Sequence, residues 1–268
     1  MFRTTLAAIS LVAVLSPPSA AHEFWIDPQD PAPNAGDTLV ADYRVGDLLA
    51  GSSLPWLDTM VAEALHHPPE GPPVPLSSLL GDRPALSVVL NTEGLHRITT
   101  VTHPAYVTFD FLAAFEEYLD YEGLDLKPDD HVARGLAPMA ISEEYIRNAR
   151  TLVSAGTLER GSADAPTGLD HELVVTGHPF EPGAERIEVT LLWQGRPVPD
   201  ASVALIRALP GQEGTRRILR TDAKGKVTVP LGGPGGYLLN AVRIAPVDGP
   251  GAVRWQSHWA SLFFELSR

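Results

Sequence analysis

The pattern of apolar and polar positions along the chain is mainly that of short β-strands. Apolar and polar residues alternate from Thr38 to Val45, and two apolar, β-branched runs, Ala85–Leu90 and His96–Val101, flank a turn that contains Gly94. A period of two is typical of a half-buried strand. We therefore predict a strand in the first segment and a hairpin formed by the other two.

Seven further strands are predicted after residue 168, because short apolar runs there are separated by clusters of turn residues. They cover Leu173–Thr176, Ile187–Trp193, Ser202–Ala208, Arg217–Thr221, Lys226–Val229, Tyr237–Ile244 and Trp255–Leu266. Strands at such short spacing indicate a β-sandwich. In the last of them, alternation places His258 on the face opposite Trp255 and Trp259.

Two segments before residue 168 have helical signals instead. Asp110 can cap a helix that runs to about Tyr121, and Ser142 can cap a second helix that ends near Gly156. Two other segments are predicted to be irregular: Leu48–Pro55, which follows a Gly-Asp turn, and Leu65–Pro73, which contains four prolines.

The composition shifts to small and polar residues between Gly161 and Gly168, which is typical of a domain boundary. We therefore predict a mainly β protein of two β-sandwich domains, Ig-like or prealbumin-like, the first with two inserted helices. The predicted domains are residues 22–165 and 166–268.

Residues 1–21 are predicted to be a secretory signal peptide. Arg3 gives the N-terminal region a positive charge, Leu6 to Leu15 form an apolar run, and Ser19-Ala20-Ala21 is a small-residue cleavage site. The apolar run is shorter than the about 20 residues that span a bilayer, and no later segment is long and uncharged enough. The sequence thus predicts an exported, soluble protein.

The composition excludes several classes of partner and of metal ligand for this protein. The formal net charge is -13, and loss of Arg3 with the signal peptide makes it -13 - 1 = -14, which argues against nucleic acid or an anionic membrane surface as a partner. There is no cysteine, so disulfides and thiolate sites are excluded. Metal chemistry would have to use histidines, carboxylates and the terminal amine.

Cleavage after Ala21 would make His22 the first residue of the mature chain. A terminal histidine can chelate a metal ion with its α-amine and its ring nitrogen together, whereas in the precursor the same backbone nitrogen is an amide. The alternative is that His22 has no role in metal binding and is simply the residue that follows the cleavage site.

Four other residues are candidate ligands for that metal ion. They are Glu23, beside the terminus; Asp47, at a predicted strand end; His103, held in an extended backbone by Pro104; and His258 in the last strand. Each also has a plain structural interpretation, as a solvated or half-buried histidine or as a turn carboxylate.

Several motifs together resemble one known family. They are His22-Glu-Phe-Trp-Ile26, Tyr43-Arg-Val-Gly46, Tyr118-Leu-Asp-Tyr-Glu-Gly-Leu124, Glu144-Tyr-Ile-Arg147, Gly195-Arg-Pro-Val-Pro-Asp-Ala-Ser-Val203, Thr221-Asp-Ala-Lys-Gly225 and Trp255-Gln-Ser-His-Trp-Ala-Ser-Leu262. The family is DUF4198, which looks like the periplasmic component associated with bacterial nickel and cobalt uptake. The segment Gly195–Tyr237 is also similar to the prealbumin-like, carboxypeptidase-regulatory-like sandwich, a structural pattern without chemistry.

The resemblance implies a soluble periplasmic protein that binds a divalent metal with His22 as a ligand. Members often have a histidine directly after the glycine that ends the second strand, and here that place holds Asp47. The second ligand therefore stays open between an oxygen donor and another histidine.

Three hypotheses for the function follow. The first is a non-enzymatic protein that holds nickel, cobalt or copper for a membrane importer. The second is a copper oxygenase with a histidine brace, which would need a second histidine and an open coordination position. The third is a sandwich module that binds a protein or a sugar. Hydrolytic motifs such as Gly-x-Ser-x-Gly and His-Glu-x-x-His do not occur in the sequence.

Overall fold

The structure is a computed structural model that describes residues 22–156, 163–209 and 211–267. The predicted signal peptide at residues 1–21 and the first two residues of the predicted boundary segment lie outside these ranges. Seventeen strands and two helices are found within them.

The elements are numbered in chain order. The strands before the first helix are β1 Glu23–Pro28, β2 Thr38–Asp47, β3 Ala50–Leu54, β4 Val61–His67, β5 Val74–Pro75, β6 Leu86–Val89, β7 Gly94–Thr102 and β8 Ala105–Phe111. The helices α1 Leu112–Glu122 and α2 Pro128–Ala133 follow, then the long strand β9 Met139–Ala155. The remaining strands are β10 His171–Thr176, β11 Arg186–Trp193, β12 Arg196–Pro197, β13 Ser202–Ala208, β14 Thr215–Arg220, β15 Lys226–Pro230, β16 Gly235–Pro246 and β17 Trp255–Leu266.

Three sheets are formed by these strands. A nine-stranded sheet has the order β14-β13-β16-β17-β9-β7-β4-β5, with β8 also paired to β9. One four-stranded sheet contains β1, β2, β3 and β6, and the other contains β10, β11, β12 and β15. Because β17 pairs parallel to β9, the nine-stranded sheet includes strands from both sides of residue 165.

The nine-stranded sheet is the middle layer of the molecule and has two buried faces. In β17, Trp255 and Trp259 pack with residues of α1. The alternate residues Ala260 and Leu262 pack instead with the second four-stranded sheet. The side-chain period of two thus lets one strand contribute to two cores. The first four-stranded sheet lies on the same face as α1, where Ile26 packs near Ala149 and Val153 of β9.

The mainly β, sandwich-like fold with two helices is confirmed. The strands predicted after residue 168 are all present, and two of them, β13 and β17, have the predicted bounds. The predicted strand at 38–45 is also present as β2. Local alternation and turn residues were sufficient to predict these strands, because each strand is short and bounded by strong turn signals.

The second helix, predicted from Ser142 to Gly156, was wrong. These residues belong to the strand β9, which pairs with β7, β8 and β17. From Asn148 to Ala155 every residue of β9 is buried, so both of its faces pack in cores. Burial and pairing on this scale override local capping signals. The second helix is instead α2, which begins at Pro128.

The first helix is present but begins two residues after Asp110. Its N-cap is Phe111, which provides no side-chain hydrogen bond, and Asp110 belongs to β8. Its C-terminal end has the left-handed Gly123, whose N–H donates to Asp120 O. The helix therefore takes its position from the packing of Phe115 and Leu119 rather than from a cap.

Two other local predictions were wrong. The runs at 85–90 and 96–101 do not form a hairpin, since β6 pairs with β2 whereas β7 pairs with β4 and β9. The predicted irregular segment at 65–73 begins inside β4, where His66 is buried. Both errors concern long-range pairing, which local sequence does not encode.

A buried ion network ties the segment after residue 162 to the middle sheet. The Asp164 carboxylate accepts from Arg97 Nε at 2.7 Å and from Arg150, and Glu172 accepts from Arg150 Nη1 at 2.7 Å. Both Arg150 and the Asp164 side chain are fully buried. The second oxygen of Asp164 accepts from the Val175 N–H at 2.9 Å. The network therefore joins β7, β9 and β10.

Candidate metal centre

The register of β1 and β2 brings the candidate ligands His22 and Asp47 together. Glu23 lies opposite Gly46, so the next residues outward, His22 and Asp47, face each other at the end of the pair. His22 Nδ1 lies 2.8 Å from Asp47 Oδ2. The side chains are 33% and 48% exposed, so the pair lies at the surface.

A tight turn after Asp47 holds this carboxylate in place. Asp47 pairs with Ala50, and the two residues between them, Leu48 and Leu49, have φ values of 53° and 61°. Positive φ at both central positions is typical of a type I′ hairpin turn, for which leucine is a poor choice. Both leucines pack on the apolar cluster that contains Trp25, and this burial offsets the strain.

The predicted irregular segment at Leu48–Pro55 was therefore wrong, since it contains this turn and the strand β3. The close approach of β2 and β3 also needs Gly46. A Cβ atom added there would collide with the Ala50 carbonyl oxygen. The position of Asp47 thus depends on a glycine and on two half-buried leucines.

Glu23 lies beside the pair but is directed to the other side of β1. Its side chain is fully buried, with Oε1 at 3.5 Å from Arg216 Nε and 3.5 Å from the Tyr121 hydroxyl. Burial raises the pKa of Glu23 above its ordinary value, and the Asp47 charge adds to this rise while Arg216 opposes it. Glu23 therefore contributes charge near His22 rather than a direct contact with it.

A second buried carboxylate, Glu122, shares the same guanidinium. Its Oε2 accepts from Arg216 Nη2 at 3.1 Å and from Asn240 Nδ2 at 3.2 Å, and its Oε1 has no hydrogen-bond partner. Burial raises the pKa of Glu122 to about 8, although Arg216 opposes the rise. The sequence analysis assigned no role to Glu122, because only the fold brings the end of α1 to β14 and β16.

Glu122 leads to a prediction about the pH dependence of stability. Its pKa is higher in the folded chain than the ordinary 4.5, so the folded state binds more protons between these values. Stability is lost as the pH rises from about 4.5 through about 8. We expect Glu122→Gln to weaken this loss, so that its free energy of unfolding falls by about 2 kcal/mol less than that of the wild type between pH 5 and pH 9.

Urea denaturation between pH 5 and pH 9 measures this effect. The matched control is Glu116→Gln, an exposed carboxylate on the same helix. If Glu122→Gln and the wild type lose stability in parallel as the pH rises, the burial argument for Glu122 is wrong.

The two predicted histidine ligands are not joined to His22 in the described part of the chain. The backbone N–H of His103 donates to Met60 O at 2.8 Å, and its side chain is exposed. His258 packs against the Trp193 ring at 4.8 Å, and its Nδ1 is buried without a partner. No hydrogen bond, ion pair or ring contact of the described residues connects either one to His22.

His66, which the sequence predicted to lie in an irregular segment, forms a separate contact with a second histidine. His66 Nε2 lies 2.8 Å from His96 Nδ1, and His96 Nε2 lies 2.8 Å from Thr92 O. Since a carbonyl can only accept, His96 Nε2 carries the hydrogen and its Nδ1 accepts from His66. Burial lowers the pKa of His66 to about 4, so the pair is neutral at pH 7 and its facing nitrogens satisfy each other.

The donor set at His22 fits a metal ion only in part. Within residues 22–156, 163–209 and 211–267 no group of three histidine, aspartate or glutamate side chains is arranged to hold an ion. The pair of His22 and Asp47 offers one imidazole nitrogen and one carboxylate oxygen. A third donor would have to be the α-amine of His22, which exists only when His22 is the first residue.

The model of a family described as "Domain of unknown function (DUF4198)" matches residues 19–245. No curated protein matches the chain. A solved structure described as the D0-D1 domain of intimin is 11% identical, with a TM-score of 0.23, over 89% of this chain and 96% of that chain. A likeness this low supports no structural or functional argument.

The family match confirms the resemblance that the motifs indicated. The Trp255–Leu262 motif lies beyond the matched residues. No helix in the described ranges combines the length and the apolar character that a bilayer crossing requires.

Proposed function

Because the chain belongs to the DUF4198 family, whose description names no activity, we propose its function from the geometry at His22. It is an exported, periplasmic protein that binds a divalent transition metal ion, nickel, cobalt or copper, and serves a membrane importer. The mature chain begins at His22, and the ligands are the His22 amine, His22 Nδ1 and Asp47 Oδ2. The observation that supports this proposal is the contact of 2.8 Å between His22 Nδ1 and Asp47 Oδ2.

The nitrogen that faces Asp47 is the one that chelation requires. Nδ1 is the ring nitrogen nearer to the backbone, so it and the α-amine can close a small chelate ring around one ion. Ligands at about 2.0 to 2.1 Å that stand at a right angle are about 2.9 Å apart. At 2.8 Å, an ordinary hydrogen-bond distance, Nδ1 and Oδ2 are close enough together to bind one ion.

The type of donor favours nickel, cobalt and copper ions. Two nitrogens and one carboxylate oxygen suit ions of borderline hardness such as Ni(II), Co(II) and Cu(II). Copper binds most tightly to such donors, so the order of affinities in vitro does not identify the metal in the cell. Nickel or cobalt is the expectation that accompanied the family resemblance.

The alternative of a copper oxygenase has less support from the geometry. A histidine brace needs a second imidazole beside the first, and neither His103 nor His258 contacts His22 among the described residues. Asp47 occupies the place where the second ligand would be. We therefore propose binding without catalysis.

Calorimetric titration with nickel, cobalt, copper and zinc tests the proposal. The mature chain that begins at His22 is compared with a chain that carries one additional alanine before His22. The additional residue converts the amine into an amide but keeps the imidazole and Asp47, so we expect the affinity to fall by at least about a hundredfold. Equal affinities of the two chains would overturn the proposal, and so would absence of binding to the mature chain.

A further inference from the structure

A guanidinium lies against the backbone of His22. Arg147 Nη2 donates to His22 O at 3.1 Å. Its guanidinium carbon lies 5.6 Å from the centroid of the Phe24 ring and 4.9 Å from that of Tyr145. Arg147 is therefore in direct contact with the residue that carries the proposed chelating imidazole.

Arg147 has hydrogen-bonding capacity that the described chain does not use. A guanidinium has five N–H donors, and the described side-chain hydrogen bonds of Arg147 use one of them. Its Nε is buried without a partner. No carboxylate of the described residues lies within ion-pair distance, whereas the buried Arg97 and Arg150 share Asp164. Burial lowers the pKa of Arg147, and the charge of Glu23 opposes this from a longer distance. A buried cation that has no anion in direct contact costs stability unless a ligand supplies one.

The proposed metal centre also leaves part of the ion uncovered. The His22 amine, His22 Nδ1 and Asp47 provide three donors, and an octahedral ion has room for about three more ligands. Water can fill these positions, but so can a small molecule that chelates the metal. A chelator with several carboxylates can bind the ion and still present an oxygen to a neighbouring guanidinium, which recognises carboxylates with two parallel hydrogen bonds.

We propose that the protein binds its metal as a complex with a small polycarboxylate chelator, and that Arg147 receives a carboxylate of this chelator. The inference rests on the proposed function and names the class of its substrate. The negative charge of the chelator also reduces the repulsion between the metal ion and Arg147, which a bare divalent ion would experience in full. Arg147 is thus a binding residue for the chelator and holds the His22 carbonyl in position.

Equilibrium dialysis with nickel and radiolabelled citrate tests this proposal. The mature chain is dialysed against nickel alone, citrate alone, and both together, and bound nickel and bound citrate are counted. We expect citrate to be retained only together with nickel, and in equal amount. In Arg147→Met the ratio of bound citrate to bound nickel should fall by about tenfold or more, because a charge-assisted pair of hydrogen bonds is lost.

Two further variants make the test specific. Arg147→Lys keeps the charge but not the planar pair of donors, so it should retain an intermediate ratio, and it replaces the methionine variant if that variant does not fold. Arg186→Met, at an exposed position of β11, is the matched control and should keep the wild-type ratio.

The results separate this inference from the proposed function. Retention of nickel without citrate, or equal citrate retention by Arg147→Met and Arg186→Met, would overturn the role of Arg147 and leave metal binding intact. If the mature chain retains no nickel under any of these conditions, the proposed metal-binding function itself is wrong.

Discussion

Replacement of Asp164 by asparagine is expected to lower the free energy of unfolding by about 3 to 5 kcal/mol, the range measured when one partner of a buried ion pair is removed. The Asp164 side chain is fully buried and accepts from two guanidinium groups, those of Arg97 and Arg150. Asparagine keeps the shape but removes the charge, so Arg97 loses its only ion-pair partner among the described residues.

Urea denaturation of the mature chain at pH 7 measures this effect. Asp170→Asn is the control, because Asp170 is nearby and exposed and forms no ion pair with the described residues, while its backbone carbonyl accepts from the Gln194 N–H. An effect of Asp164→Asn within about 0.5 kcal/mol of this control, the usual range for surface substitutions, would show that the network does not hold the two sheets together.

The second large effect, a loss of affinity for metal, is expected from His22→Ala. This change removes the imidazole from the proposed chelate and leaves Asp47 without its partner, so the affinity for nickel or copper should fall by more than about a hundredfold. The free energy of unfolding without metal should change by less than about 1 kcal/mol, because an exposed pair of this kind contributes little.

Titration of the His22→Ala and His103→Ala variants with nickel or copper distinguishes the candidate ligands. His103 has an exposed side chain without a contact to His22, so its replacement should leave the affinity for metal within about twofold of the wild type. If His103→Ala weakens binding as much as His22→Ala does, the metal centre has a different composition from the one proposed here.

Some strands of the fold could be predicted from the sequence because their signals are local. The strands β13 and β17 were predicted with their observed bounds, since alternation and turn residues define them without reference to the rest of the chain. The strand β9 could not be predicted in this way. Ser142 and Gly156 resemble helix ends, and only pairing with β7 and β17 makes these residues a strand.

In the candidate site, too, the sequence predicted some features and tertiary contacts decided others. His22, Glu23 and Asp47 were all named from the sequence as possible ligands. The register of β1 against β2 then joined His22 to Asp47, and alternation along β1 directed Glu23 to Arg216 instead. The turn through Leu48 and Leu49 escaped prediction because its strain is offset by contacts with Trp25 that are distant in sequence.

By itself, the sequence determined the mainly β class, the positions of most strands in the second half, the family, and a histidine in the place where a signal peptide would end. These features depend on residues close to one another in the chain. The tertiary structure alone decided that one sheet runs through both halves, that Asp47 meets His22, and that Arg147 lies beside them without a carboxylate partner among the described residues. Such contacts join strands far apart in the chain, and their energy comes from burial and pairing that exist only after folding.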